Sequence, residues 1–157
     1  MQPKIYVSKP LRLDVKKLDK KFYRADMEFY GIDHSGPSYE GRVFVNNPHA
    51  NQKTPTTFKN GYFGSFHIFG HGGCFGDTGH CEVRRERRPY DVRPDHPLTP
   101  AYKRIIVTDQ LKKMGKSTNE FTVYIVPVLN YDGADIAKED IEAVVKVEKI
   151  SIVAYNL

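Results

Sequence analysis

The chain has 157 residues, of which 39% are hydrophobic and 27% charged, a balance that excludes intrinsic disorder and gives one domain, residues 1–157, enough apolar material for a core. The net charge of +5 is modest and the basic residues are dispersed, with no zinc finger, RNP signature or helix-turn-helix beside them, so a nucleic-acid partner is not expected. No apolar run is long enough to span a bilayer and Met1 to Pro10 lacks a signal pattern, which predicts no membrane partner and a cytoplasmic chain, or a fragment of something larger.

Alternation dominates the pattern. Tyr23, Ala25, Met27 and Phe29 alternate with Arg24, Asp26 and Glu28, the mark of a half-buried strand. Gly31 to Pro37 reads as a turn. Arg42 to Asn46 reads as a second strand with Val43 and Val45 on one face, ended by Asn46-Asn47-Pro48, and residues 49–60 as an exposed loop. Tyr62 to Phe69 is an aromatic strand, with Phe66 and Ile68 on one face and Ser65, His67 and Phe69 on the other.

A Gly-rich loop follows, and residues 82–100 carry charge and the prolines Pro89, Pro94, Pro97 and Pro100, a long irregular segment. Its basic cluster, Arg84, Arg85, Arg87 and Arg88, could meet phosphate or an acidic partner, but a solvated loop is the favoured reading. Arg104 to Thr108 is strand-like, and Thr108 or Asp109 is expected to cap a short helical turn through Met114, ended by Gly115. Phe121 to Val128 reads as a strand whose Pro127 suggests an edge or a bulge. Asp135 to Glu142 reads as a helical turn or an acidic loop. Val144 to Tyr155 reads as one closing strand, and its apolar phase shifts between Val147 and Ile150, predicting a β-bulge near Glu148 and Lys149. Short strands joined by turns, with little helix, predict an all-β, antiparallel sandwich of jelly-roll or Greek-key type with long irregular loops.

The chemistry concentrates at Gly70-His71-Gly72-Gly73-Cys74-Phe75-Gly76-Asp77-Thr78-Gly79-His80-Cys81. Thiolate and imidazole are preferred ligands of zinc and copper, and the glycines let the backbone wrap tightly. The candidate metal ligands are His71, Cys74, His80 and Cys81, with zinc or Cu(I) favoured over hard ions. His67 is a fifth candidate that strand geometry disfavours, because it sits about 13 Å from His71 if the chain stays extended at ~3.3 Å per residue. Two other readings stand beside metal binding: a Cys74–Cys81 disulfide closing the loop, and plain buried thiols. A Cys74 nucleophile served by His71 or His80 and Asp77 has the right chemistry but no evident oxyanion site. Asp33-His34-Ser35 and Asp95-His96-Pro97 read as solvent-facing turns that could support the loop from outside its ligand set. Tyr90, Tyr102 and Tyr124 read as core or rim aromatics.

Several blocks resemble, in order, the C-terminal β-sandwich domain of tyrosinases and polyphenol oxidases. They are Lys9-Pro10-Leu11, Phe22 to Phe29, Gly64-Ser65-Phe66-His67, Ile106-Val107-Thr108-Asp109-Gln110-Leu111, Thr122-Val123-Tyr124-Ile125-Val126-Pro127 and Val145 to Ala154. The loop itself looks similar to a stretch in bacterial tyrosinase-like proteins. The six histidines at positions 34, 49, 67, 71, 80 and 96 show no helical pairing, so the dinuclear copper site of that family's catalytic domain does not carry over. The resemblance implies a domain without catalytic activity of its own that shields, matures or partners a tyrosinase-like copper oxidase or another protein subunit. It also suggests Phe75, flanked by glycines, as a plug residue. The alternatives are a self-contained zinc or copper metalloprotein or small oxidoreductase using residues 71–81, and an assembly domain closed by the disulfide.

Overall fold

The alternating stretches fold as strands in the computed structural model, which describes residues 3–13, 22–71, 98–114, 120–129 and 143–156. In chain order the strands are β1 (Tyr6–Val7), β2 (Leu11–Arg12), β3 (Phe22–Ile32), β4 (Tyr39–Val45), β5 (Tyr62–Ile68) and β6 (Ala101–Ile106), then helix α1 (Thr108–Met114), β7 (Glu120–Phe121), β8 (Val123–Val128) and β9 (Lys149–Asn156). A 3-10 turn at Phe58–Asn60 precedes β5. All pairings among the described residues are antiparallel, in one sheet of order β1-β8-β4-β5, one of order β6-β3-β9 and a small β2-β7 pair. Apart from β4–β5, neighbours are distant in sequence, the long-range wiring expected of a Greek-key or jelly-roll sandwich.

The two larger sheets face each other. Ala25, Met27 and Phe29 of β3, with Ile105 and Ile150 beside them, meet Val43, Phe63, Phe66, Ile68, Val123 and Ile125. The rings of Phe29 and Phe66 lie 4.7 Å apart across the interface. Burying such side chains contributes roughly 1.5–3 kcal/mol each before entropy is counted. Phe63 is also buried although it breaks phase with Phe66 and Ile68. The register shift between Val43 and Phe44 supplies the extra residue that turns it inward. A second, small core of Phe44, Ala50 and Val126 lies on the other face of the four-stranded sheet. There residues 46–60 fold back, with Gln52 donating to the Pro127 carbonyl at 2.9 Å.

Four expectations change in detail. The first strand runs on to Ile32 and the second begins at Tyr39, so the turn between them is shorter than the composition suggests. Pro127 lies on a strand flanked on both sides, but β1 pairs only with Tyr124 and Ile125 and ends before reaching it, so its missing N–H faces no ladder. The Thr108 hydroxyl, expected to cap α1, instead accepts the Ala25 N–H at 2.9 Å. The closing segment is not one bulged strand: residues 144–147 are irregular and β9 begins at Lys149. The Lys146 carbonyl accepts from the Asp33 N–H and the Glu148 N–H reaches the Tyr30 carbonyl, so this lead-in is tied to the end of β3. Gly31, at φ +64°, sits opposite it, where a Cβ would lie 2.5 Å from the Glu148 side chain. Residues 130–142 and Gly115 lie outside the described residues. Among the described residues, no helix is long and apolar enough to cross a membrane.

Candidate functional site at the stems of the Gly/His/Cys loop

The candidate loop leaves the end of β5. Cys74, Phe75, His80 and Cys81 lie outside the described residues, as do the Arg84–Arg88 cluster, Tyr90 and His96. His67 and His71 are described. His67 is exposed on β5, opposite Glu40 of β4. Among the described residues no three His, Cys, Asp or Glu side chains gather as a metal group.

His71 is placed by the turn between β3 and β4. Asp33 Oδ1 accepts from the Ser35 N–H at 2.9 Å and from its hydroxyl at 2.6 Å, the short-range pattern by which Asp shapes a turn. Burial alone would raise the Asp33 pKa. The two Ser35 bonds and the Lys146 ammonium at 3.2 Å outweigh burial and hold it below its ordinary value. The chain leaving β5 then runs hard against this turn. The Gly70 N–H donates to Ser38 Oγ at 3.0 Å, and a Cβ at Gly70 would stand 2.2 Å from the Gly36 carbonyl oxygen. Glycine is therefore a steric requirement at this position.

His34 bonds to the described chain on both sides of residues 72–97. Its carbonyl accepts the His71 N–H at 2.9 Å, and its Nε2 donates to the Thr99 carbonyl at 2.8 Å. Because a carbonyl only accepts, Nε2 must carry the proton; in the neutral ring Nδ1 is then left with a free lone pair. The His34 and His71 rings stand edge to face, with centroids 4.9 Å apart. The Phe69 ring meets His71 at 6.1 Å. His71 Nδ1 is buried and has no hydrogen-bond partner among the described residues, a state that costs about 1–3 kcal/mol unless something satisfies it.

The structure thus brings His71 to His34 rather than to His67. The linear pattern made His34 a solvent-facing turn residue. The signal that could have raised it is its Asp-His-Ser context, which fixes a turn, combined with a long loop that must close somewhere.

A second polar cluster lies on the outer face of the three-stranded sheet. Arg24 donates two 2.8 Å bonds to fully buried Asp26, with Arg104 at 3.7 Å. Both phenols of Tyr30 and Tyr102 donate to Glu28. Those phenol bonds, Tyr30's first, hold the Glu28 pKa below its ordinary value against the opposing effect of burial. Tyr102 is pushed up to about 12, chiefly by the same bond to Glu28. Tyr102 is thus a rim aromatic, and Tyr124 packs on the small second core.

No family model matches the chain, and comparison with curated proteins and with solved structures returns no match.

Proposed function

We propose that this chain is a non-catalytic β-sandwich module of the tyrosinase C-terminal kind. In this reading it binds a zinc or copper ion in the loop at residues 70–81 and partners a copper enzyme. The observation that carries the metal half is His71, whose buried Nδ1 has no partner among the described residues at the start of a segment holding Cys74, His80 and Cys81. An imidazole nitrogen without a protein partner, followed by two thiols and a second imidazole, suits a borderline or soft ion. The partner half rests on block order. Lys9-Pro10-Leu11 leads into β2, Gly64-Ser65-Phe66-His67 lies on β5, and Ile106 to Leu111 spans the β6–α1 junction. Thr122 to Pro127 covers β8, and β9 takes up most of Val145 to Ala154.

In that role His71, Cys74, His80 and Cys81 hold the ion, and Phe75 is the side chain offered to the partner. Elemental analysis of protein purified without added metal tests the metal half. Stoichiometric zinc or copper, lost in a Cys74→Ser, Cys81→Ser double variant, is the expected result. Folded protein that stays metal-free after incubation with either ion overturns it, and a mass increase of one hydrogen per cysteine on reduction would assign the loop to a disulfide instead. A pull-down against copper oxidases from the same source tests the partner half; capture weakened by Phe75→Ala is expected, and no capture counts against it.

A further inference from the structure

We infer that His34 is itself a metal ligand, through Nδ1, and that His34 and His71 form a two-imidazole half-site built into the folded sandwich, so that a four-coordinate ion takes only two of the three further candidates Cys74, His80 and Cys81. The inference rests on the reading that this loop binds metal, and it identifies where the ion is anchored. Three observations carry it. First, the hydrogen bond from His34 Nε2 to the Thr99 carbonyl is the arrangement by which proteins fix the tautomer of a metal-binding histidine, and it frees Nδ1 for the ion. Second, His71 presents a buried Nδ1 that no described residue satisfies, and metal ligation would satisfy it. Third, the ring spacing fits. With metal–nitrogen bonds of ~2.0–2.1 Å and a tetrahedral angle, two imidazole centroids on one ion stand about 5 Å apart; the observed separation is 4.9 Å at an interplanar angle of 74°.

The pair is held by backbone and turn contacts on both sides: the His71 N–H to the His34 carbonyl, Gly70 against residues 36–38, and Asp33 with Ser35 and Lys146. These contacts bring the two rings together without any residue of 72–97, which reduces the entropy lost on binding. Two neutral imidazoles suit zinc or copper and disfavour magnesium or calcium, which take oxygen ligands.

The test is a zinc titration of the full, metal-stripped chain followed by nitrogen NMR of the imidazoles. Zinc is expected to shift Nδ1 of both His34 and His71 while His34 Nε2 keeps its proton, and to leave His67 unmoved. His34→Ala should weaken zinc binding at least tenfold, and His67→Ala should not. Because His34→Ala also removes the bond to Thr99, its far-ultraviolet circular dichroism and unfolding midpoint are compared with those of the parent, and the NMR result stands independently of the variant. If zinc binds and is lost with the loop cysteines while the His34 signals stay still, the inference falls and the loop reading survives. If no zinc binds to the parent chain, both fall.

Discussion

Glu28 and Asp26 lie on the face of β3 that alternation assigns to solvent, yet Asp26 is fully buried and Glu28 nearly so. Alternation correctly placed Ala25, Met27 and Phe29 inward. It could not show that Arg104 and Tyr102 from β6, with Arg24 and Tyr30, would close over the carboxylates, because that depends on strand register and not on spacing along one strand. The consequence is a pH signature. The pKa of Glu28 is lowered, so its contribution to stability is present above the ordinary carboxylate value and is lost as pH falls through the folded value. The pKa of Tyr102 is raised to about 12 from 10.0, so its contribution is intact below 10.0 and is lost as pH rises through about 12. Ultraviolet difference titration should therefore find Tyr102 ionising late, and Glu28→Gln should bring that titration back towards the ordinary phenol value. A Tyr102 transition that does not move in Glu28→Gln would remove the bond to Glu28 as its cause.

At the scale of elements, the junction between β6 and α1 shows how a strand can end without leaving a neighbour unpaired. The β3–β6 ladder stops at Asp26 and Ile106. Beyond it, the Ala25 carbonyl accepts the Val107 N–H at 2.8 Å, and the Ala25 N–H donates to Thr108 Oγ1 at 2.9 Å. A threonine before a helical run is correctly read from sequence as marking the helix start. Which donor its hydroxyl serves is settled by tertiary placement, 83 residues away in sequence. Thr108→Val keeps the shape and strands a buried N–H, which should cost about 1–3 kcal/mol. Thr108→Ser retains the acceptor and should cost clearly less. Urea denaturation of the two variants checks the order, and equal losses would mean that packing of the methyl, not the hydrogen bond, holds the junction. The same limit applies to the candidate site. Residue types in the loop can be read from sequence as candidate ligands, but His34 sits 37 residues before His71 by numbering, and only the close approach of the β3–β4 turn to the end of β5 brings the two together.

For the whole molecule, the question is whether the interface that holds the sandwich also holds the half-site. His34 follows β3 of the three-stranded sheet and His71 follows β5 of the four-stranded sheet, while the turn that carries His34 runs on into β4 beside β5, so sheet packing and turn contacts both bear on the ring separation. Phe29 of β3 and Phe66 of β5 are the aromatic contact across that gap, at 4.7 Å and 43°. A Phe→Ala change at either position would cost about 3–5 kcal/mol, a large share of the ~5–15 kcal/mol that holds a domain together. Leucine substitutions are gentler probes. Phe29→Leu, Phe66→Leu and the double variant form a thermodynamic cycle whose coupling should be about 0.5–1.5 kcal/mol, the excess of a tilted aromatic pair over its buried area. Zinc affinity measured on the same proteins should fall more in the double variant than in Lys59→Ala, a surface change on the 3-10 turn. An additive cycle would mean that the two rings share a core without contributing specifically to sheet alignment, and unchanged zinc affinity in the double variant would mean that the turn contacts at His34 and Gly70 fix the imidazole pair without help from the sheets.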